Sequence, residues 1–372
     1  MNCFMITHNF QKRIRRLCRE LEKTDFDAVL VQKPANLCYF VGDSRPCLLL
    51  IITTNGDVSI LAPIIDASGI KRHTKHEVIS FKTELDMYQR IKNLFEDLRV
   101  LKIGVEKSYM NASQFERYQS KILPPPFEIS DTTSVISKLR QIKSTDEIEC
   151  IKRACSIADQ AMKVGVDFID AGKTEIDVAG EIEYSMRRQG VGKLGSPTYV
   201  ASGPRTAPAH GLATNRKIRK GDLVLINITP TIQGYCAELC RMTTLGRPKP
   251  EVKKAYTAYA KGLSWCIKAA KEGATLANVE DTFADSLLKS GYRKKFIRPL
   301  LHGIGLDHAE APMPPGHTGV EDVPDVKLIE NMVLGIGNCG LYFPKFGVRI
   351  EDTILVTKKS GVELTKYGRG LV

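Results

Sequence analysis

The first third of the chain alternates helical and strand patterns of apolar residues. Apolar side chains at helical spacing predict an amphipathic helix over residues 10–24. Residues 27–31 are typical of a buried strand, and two apolar runs at 48–54 and 58–61 flank an Asn-Gly-Asp turn, which predicts a β-hairpin. The other elements predicted in this part are helices near 87–98 and 111–121 and strands at 102–106 and 127–130. Strands that alternate with helices indicate an α/β domain.

After about residue 130 the pattern changes to longer helices and strand-rich segments. One amphipathic helix is predicted from residue 145 to about 164, and a second over 174–189 with Thr174 as its cap. The strand-rich segments that follow are SPTYVASG, GDLVLINITP, GYCAELCRMTTLG, MVLGIGNCG and GVRIEDTILVT. Further helices are predicted near 249–272 and 277–290. This half is therefore predicted to be α+β, with a curved antiparallel sheet covered by helices.

Composition narrows the class of protein. The chain has 372 residues, 43% of them apolar and 26% charged, as in ordinary globular proteins. Its longest uninterrupted apolar run, residues 47–52, is too short to cross a membrane, and the first residues do not have the pattern of a signal peptide. We therefore expect a cytoplasmic protein with no membrane partner. The ten cysteines contain no C-x-x-C pair and are expected to be reduced thiols.

The net charge of +12 raises the question of an anionic partner. The densest basic groups, KRIRR at 12–16 and RKIRK at 216–220, are short and lack interleaved aromatic residues. We interpret this charge as general solubility charge and do not expect a nucleic-acid partner. An anionic substrate or an acidic partner is compatible with the same charge.

Three segments place polar residues where apolar ones are expected. Asn227 lies within LVLINI and Glu238 lies on the second strand of a predicted hairpin, so they form either a hydrogen-bonded pair or two ligands aimed at one cavity. His302 follows Leu301 before a turn of small residues, where a satisfied core histidine is the alternative to a ligand. Glu351 shares a strand face with Arg349, and a structural ion pair is the alternative there.

Taken together, these segments resemble the pita-bread metallohydrolases, the family of methionine aminopeptidase, aminopeptidase P, prolidase and creatinase. The blocks that carry the resemblance are LRQIKSTDEIECIKRACSIAD, SPTYVASGPRTAPAHGLATNRKIRKGDLVLI, HGIGLDHAEAP and GVRIEDTILVT. The resemblance implies an α+β chain in which a smaller creatinase/prolidase-like N-terminal α/β domain, residues 1–132, precedes a C-terminal pita-bread domain, residues 133–372. It also implies a homodimer.

The family binds two metal ions through two Asp, one His and two Glu residues. In this chain the corresponding positions are Asn227, Glu238, His302, Gly337 and Glu351. An Asn is a poorer ligand than an Asp, and a Gly offers no side chain. The resemblance therefore implies that Glu238, His302 and Glu351 hold at most one divalent ion, namely Mn, Zn, Fe or Co, and a metal-free site is the alternative.

The resemblance also suggests which residues handle the substrate. His210 corresponds to a substrate-contacting histidine and is predicted to be catalytic, while Asn227, His308 and Arg349 are predicted to bind substrate. We expect a hydrolase of the C–N bond of a small molecule or short peptide, similar to an Xaa-Pro dipeptidase or to creatinase. The alternative is a non-catalytic protein that keeps the fold and binds a protein or nucleic acid.

Overall fold

The computed structural model describes residues 6–314 and 325–371. These residues form two compact units, one of residues 7–140 and the other of Ile6 together with the chain from Gln141 onward. The predicted limits 1–132 and 133–372 stay a prediction about folding domains. The compact units divide later because the end of helix 133–141 is attached to the first unit, where the side chain of Arg16 donates to the carbonyl oxygen of Leu139.

The first unit is built on a six-stranded mixed sheet. Its strands are β1 (Ala28–Val31), β2 (Leu49–Thr53), β3 (Val58–Pro63), β4 (Glu77–Phe81), β5 (Lys102–Val105) and β6 (Glu128–Asp131), in the order β4-β3-β2-β1-β5-β6. Its helices are α1 (Phe10–Leu21), α2 (Pro34–Val41), α3 (Ile64–Lys71), α4 (Glu84–Asp97), α5 (Ala112–Arg117) and α6 (Thr133–Gln141). The predicted α/β character is confirmed.

Local sequence signals account for some elements of this unit. Helix α1 buries Ile14, Leu17 and Leu21 on one face, which is the face that its apolar spacing predicts. The β2–β3 hairpin is confirmed, with Ile52 paired to Val58 across the predicted turn. Helix α1 and the β2–β3 hairpin therefore follow from the order of apolar residues, whereas α2, α3 and β4 are elements that the pattern did not predict.

The second unit consists of long helices and antiparallel sheets. Its helices are α7 (Thr145–Phe168), α8 (Glu175–Arg188), α9 (Pro250–Ala269) and α10 (Leu276–Lys289). Its strands are β7 (Tyr199–Ser202), β8 (Leu223–Ile228), β9 (Thr231–Ile232), β10 (Tyr235–Cys236), β11 (Leu239–Thr244), β12 (Leu301–Gly303), β13 (Val333–Ile336), β14 (Leu341–Phe343), β15 (Phe346–Val348), β16 (Asp352–Val356) and β17 (Gly361–Glu363). The predicted α+β character of this half is confirmed.

Two sheets meet at the place where the polar residues converge. One has the strand order β11-β8-β7 and the other β12-β13-β16-β17. An antiparallel bridge between Cys240 and Glu351 connects them. The strand-rich segment predicted at 347–357 holds the end of β15 and all of β16. The chain leaves β15 at Val348 and starts β16 at Asp352, and Glu351 between them pairs with the other sheet.

The helices of this unit begin at the residues that the sequence indicates. Ser144 and Glu147 form a capping box at the start of α7, and Thr174 and Asp177 form another at the start of α8. None of the cysteines at described positions takes part in a disulfide. Over residues 6–314 and 325–371, every helix is too short or too polar to cross a lipid bilayer.

Candidate active site

Glu238 lies at the centre of a buried cluster of potential metal ligands. Its Oε1 atom is 2.8 Å from Nε2 of His308, and its Oε2 atom is 3.5 Å from Nε2 of His302. Ligand atoms of these three residues all lie within 4.8 Å of one another. Glu238 and His302 are buried, whereas 28% of the His308 side chain is exposed. The cluster is thus open to solvent on the His308 side.

The backbone of three neighbouring strands fixes this arrangement. The amide of Glu238 donates to the hydroxyl of Thr353 over 2.8 Å, and that hydroxyl lies 2.9 Å from the Glu238 carbonyl oxygen. Gly335 is paired with Thr353 on one side and with His302 on the other. The Nδ1 atom of His302 is 3.0 Å from the carbonyl oxygen of Gly303, which holds the ring with Nε2 toward Glu238.

Charge within the cluster follows from these contacts. Burial opposes ionisation of Glu238, but His308 and His302 outweigh it and hold the pKa of Glu238 below its ordinary value. Burial likewise disfavours a charged His308, yet the Glu238 carboxylate outweighs burial and raises the pKa of His308. The ionised carboxylate of Glu238 therefore accepts a hydrogen bond at Oε1 from the imidazole of His308. The other oxygen of Glu238, Oε2, has no hydrogen-bond partner among the described residues.

Glu351, which was predicted as a metal ligand together with Glu238 and His302, accepts hydrogen bonds from residues other than those two. Arg349 Nε donates to its Oε1 atom over 2.6 Å, and the amide nitrogen of Asn227 donates to its Oε2 atom. Burial raises the pKa of Glu351 and so does the neighbouring Glu238 carboxylate, whereas the charge of Arg349 and its hydrogen bond oppose this rise. The structural ion pair that the sequence left open is present, and the hydrogen-bond partner of Asn227 is Glu351 rather than Glu238.

Arg349 connects this pair to two loops. Its Nη1 atom donates to the carbonyl oxygen of Ala209 over 3.1 Å, and its Nη2 atom donates to Oδ1 of Asn338 over 2.8 Å. Three of its nitrogens are therefore bound to protein groups, and the side chain is only 3% exposed. A direct role in substrate binding, as predicted from the sequence, stays a prediction.

His210 lies on the exposed loop that follows Ala209. Its ring centroid is 5.9 Å from the ring of Tyr199. Partial burial, followed by the charges of Arg349 and His308, lowers the pKa of His210, while Glu238 opposes the change. These charges place His210 within electrostatic reach of the cluster and favour its neutral form near pH 7.

Gly337 occupies a position where the family has a carboxylate ligand, and its backbone conformation is one that residues with a side chain rarely adopt. Its φ angle is +112°, a region that L side chains rarely enter. A Cβ atom on this residue would lie 1.9 Å from the carbonyl oxygen of Ile350. The hydroxyl of Tyr259, 2.6 Å from the carbonyl oxygen of Gly337, holds the segment in place.

These residues do not fit a centre of two divalent ions. Position 337 offers no ligand, Asn227 is neutral, and its amide nitrogen faces Glu351. Glu238 and Glu351 supply two negative charges, and Arg349 neutralises one of them. In a buried site the four positive charges of two divalent ions would remain largely unbalanced.

The loop that carries His308 is held by groups that sequence reasoning missed. Lys143 Nζ donates to Oε1 of Glu310 over 2.9 Å, and both side chains of this pair are buried. The amide of Asp307 donates to Oε2 of Glu310 over 3.2 Å. Glu310 lies in the segment HGIGLDHAEAP, and a carboxylate between two alanines was the sequence feature that could have indicated this buried ion pair.

Both units of the chain match known protein families. Residues 149–358 match the model of metallopeptidase family M24, and residues 13–142 match that of the creatinase/prolidase N-terminal domain. An Xaa-Pro dipeptidase from Pyrococcus furiosus is 32% identical over 97% of this chain and 100% of its own length. These matches confirm the predicted resemblance.

Solved structures agree with the sequence relatives. The prolidase from Pyrococcus horikoshii has a TM-score of 0.87 at 31% identity and covers 97% of this chain and 100% of its own. An Xaa-Pro dipeptidase from Bacillus anthracis has a TM-score of 0.88 at 26% identity, with 98% and 99% covered.

These relatives bear on the predicted domain arrangement and on the predicted class of activity. The pita-bread domain with a smaller α/β domain before it is confirmed, as is a hydrolase of C–N bonds at the level of the family. The alternative of a non-catalytic binding protein receives no support from them. The chain belongs to metallopeptidase family M24.

Proposed function

We propose that this protein hydrolyses the C–N bond of a small substrate, an Xaa-Pro dipeptide or a related amide, with a single divalent ion. The observation that carries the proposal is the buried Glu238–His302–His308 cluster next to the His210 loop. The names of the M24 relatives support an Xaa-Pro dipeptide as the first substrate to test.

The distances in the cluster are compatible with one ion. Bonds of about 2.0–2.2 Å from an ion to a carboxylate oxygen and an imidazole nitrogen place those two atoms roughly 3.5 Å apart. Glu238 Oε2 and His302 Nε2 have this separation, 3.5 Å. Glu238 Oε2 is buried and accepts no hydrogen bond from the described groups, which is expected of an oxygen that binds a cation.

The donor set also restricts the kind of ion. One carboxylate and imidazole nitrogens suit Zn, Mn, Fe or Co better than Ca or Mg, which prefer oxygen ligands. His308 is the third donor of the group, and it now hydrogen-bonds the other oxygen of Glu238. Glu351 was predicted from the sequence as the third ligand, but its contacts with Arg349 and Asn227 favour His308 in that role.

The side chains around the cluster divide the remaining work of hydrolysis. A bound divalent ion supplies a water of lowered pKa and polarises the scissile carbonyl. Glu238 orients the ring of His308 through their hydrogen bond, and His308 must be neutral when it serves as the third donor. His210, neutral near pH 7, binds the substrate or carries a proton to the leaving nitrogen.

Metal analysis together with a substrate panel tests this proposal. Protein purified without chelator is analysed for bound metal and assayed with Xaa-Pro dipeptides and small amides. We expect about one ion per chain and hydrolysis that chelator abolishes. Two ions per chain would contradict the proposal, and so would hydrolysis that persists in metal-free protein, which would favour creatinase-like chemistry with His210 as the base.

Two variants separate the possible ligand sets. Glu238→Gln is expected to release the ion, because it removes the only carboxylate of the cluster. Glu351→Gln is the matched control, since both substitutions exchange one buried carboxylate for an amide. Metal retained in Glu351→Gln supports the Glu238–His302–His308 set, whereas metal lost in this variant with a normal melting temperature assigns Glu351 as a ligand.

The remaining expectations concern partners. A small molecule or short peptide as substrate is part of the proposal above. A homodimer stays a prediction, which sedimentation analysis of the purified protein can test.

A further inference from the structure

The side chain of Glu238 reaches its histidine partners by crossing the face of Gly335. Thr353, Gly335 and His302 follow one another across strands β16, β13 and β12. Thr353 holds the backbone of Glu238 at one end of this row, and His302 faces the carboxylate at the other. The residue between them has no side chain.

The space above Gly335 is filled by the carboxylate itself. A Cβ atom at this position would lie 2.5 Å from Oε2 of Glu238 and 3.0 Å from Cε1 of His302. Contacts this short require one of the neighbours to shift. The Glu238 atom in question is the end of a flexible side chain, so the carboxylate is the group that would give way, and the strand is expected to stay intact.

We propose that Gly335 is a positioning residue for Glu238, so that a glycine at 335 is what allows a carboxylate as long as that of glutamate at 238 to reach His302 and His308. An aspartate at 238 is shorter by one methylene group and would not extend over residue 335. Positions 238 and 335 are thus a matched pair, and a side chain at 335 is compatible only with the shorter carboxylate.

The inference rests on the proposed role of Glu238 as a ligand, but its physical content is the coupling between two positions. Because the two residues compete for one space, their substitutions should not be additive. In the wild-type background, Gly335→Ala displaces the carboxylate from both histidines. In a Glu238→Asp background the same alanine meets no carboxylate, and only its contact of 3.0 Å with His302 Cε1 remains, so its effect should be smaller.

A double-mutant cycle of Gly335→Ala and Glu238→Asp tests the coupling, with Zn²⁺ affinity measured by calorimetry on chelator-treated protein. We expect Gly335→Ala to weaken Zn²⁺ binding by about 10- to 100-fold, the range for residues that orient a ligand. In the Glu238→Asp background, where only the contact with His302 remains, the alanine is expected to weaken binding by clearly less than in the wild-type background. Equal losses in both backgrounds would overturn the proposal.

A second readout separates this inference from the proposed function. The imidazole ¹⁵N shifts of His308 report its hydrogen bond to Glu238 without any metal. If the wild-type protein binds no Zn²⁺, the metal proposal fails, yet loss of the His308 signal in Gly335→Ala still supports the matched pair. An unchanged His308 signal in that variant overturns it.

Stability controls complete the design. Gly180→Ala, at an exposed site on α8 where a Cβ meets no atom within 4 Å, shows the effect of the substitution itself. If Gly335→Ala does not fold, the double variant decides the question. Recovery of the fold with Asp at 238 supports the pairing, and failure of both variants overturns it, because the clash would then be with the strand.

Discussion

The guanidinium of Arg349 donates from Nε to Oε1 of Glu351 over 2.6 Å, and both side chains are almost completely buried. Removing one partner of such a pair leaves an uncompensated charge in a medium of low dielectric constant. The same guanidinium also binds the backbone of Ala209 and the side chain of Asn338. It therefore connects the carboxylate pair to the loops that border the cluster.

Arg349→Met is expected to reduce the free energy of unfolding by about 3–5 kcal/mol, the range for breaking a buried ion pair. Urea denaturation at pH 7 measures the change. Arg153→Met is the matched control, because Arg153 pairs with Glu149 at 3.4 Å on an exposed helix face, where such pairs contribute about 0.3–0.5 kcal/mol. Similar costs for the two variants would show that the Arg349 pair contributes no more than a surface pair.

The ion pair of His308 and Glu238 predicts how stability depends on pH. The folded-state pKa of His308 is raised, so its contribution is fully present below about pH 6.5, the ordinary value for histidine, and is lost as pH rises through the folded-state pKa. In chelator-treated protein, His308→Gln should therefore cost more stability at about pH 6 than at about pH 9.

Urea denaturation of both proteins at the two pH values measures this difference. Glu351 also titrates with a raised pKa and its charge acts on His308, so the comparison is repeated in a Glu351→Gln background, where the same pH dependence is expected. A cost of His308→Gln that is the same at both pH values would show that His308 is not held as an imidazolium by Glu238.

The convergence of Glu238 and His302 is what the resemblance to the pita-bread family implies, since the family's ligand positions fall on these two residues. The apolar pattern alone indicated strands at or next to both residues, but not that the two side chains meet. It did not predict the orientation of His308. Residues 304–309 lie outside the strands, so side-chain alternation gives no rule there, and the loop is set by the distant pair of Lys143 and Glu310.

The roles of Glu351 and Gly337 show a second limit. An Arg two residues before a Glu permits an ion pair or a ligand, and only the positions of Asn227 and the backbone decide between them. The positive φ angle of Gly337 is equally invisible in the sequence, because glycine is compatible with either sign of φ.

The backbone of Gly337 predicts that the family carboxylate cannot simply be restored. Gly337→Glu would force an L side chain into a φ angle of +112° with its Cβ 1.9 Å from the Ile350 carbonyl oxygen. Strain of this kind costs about 1–3 kcal/mol before the clash is counted. We expect a destabilised protein that still binds no more than one ion.

Urea denaturation and metal analysis of Gly337→Glu measure both outcomes. The control is Gly180→Glu, which adds the same side chain at an exposed helical position with open space around its Cβ. A Gly337→Glu protein of normal stability that binds two ions would show that the segment relaxes into a ligand-bearing conformation.

The neutral His210 predicts a kinetic defect without a stability defect. His210 lies on an exposed loop, so His210→Gln should leave the melting temperature unchanged. Removal of a group that moves a proton to the leaving nitrogen is expected to lower kcat by about 10²–10⁴-fold, with a smaller change in KM. Steady-state kinetics on whichever Xaa-Pro dipeptide the wild-type protein hydrolyses measures both constants.

The pH profile separates proton transfer by His210 from simple substrate binding. Because burial and the nearby positive charges lower the pKa of His210, the wild-type kcat should decline only on the acid side of about pH 6.5. That decline should be absent from His210→Gln if the neutral ring is the form that acts. A rise in KM with kcat and its pH dependence unchanged would instead assign His210 to substrate binding, because a uniform loss of binding affects ground state and transition state equally.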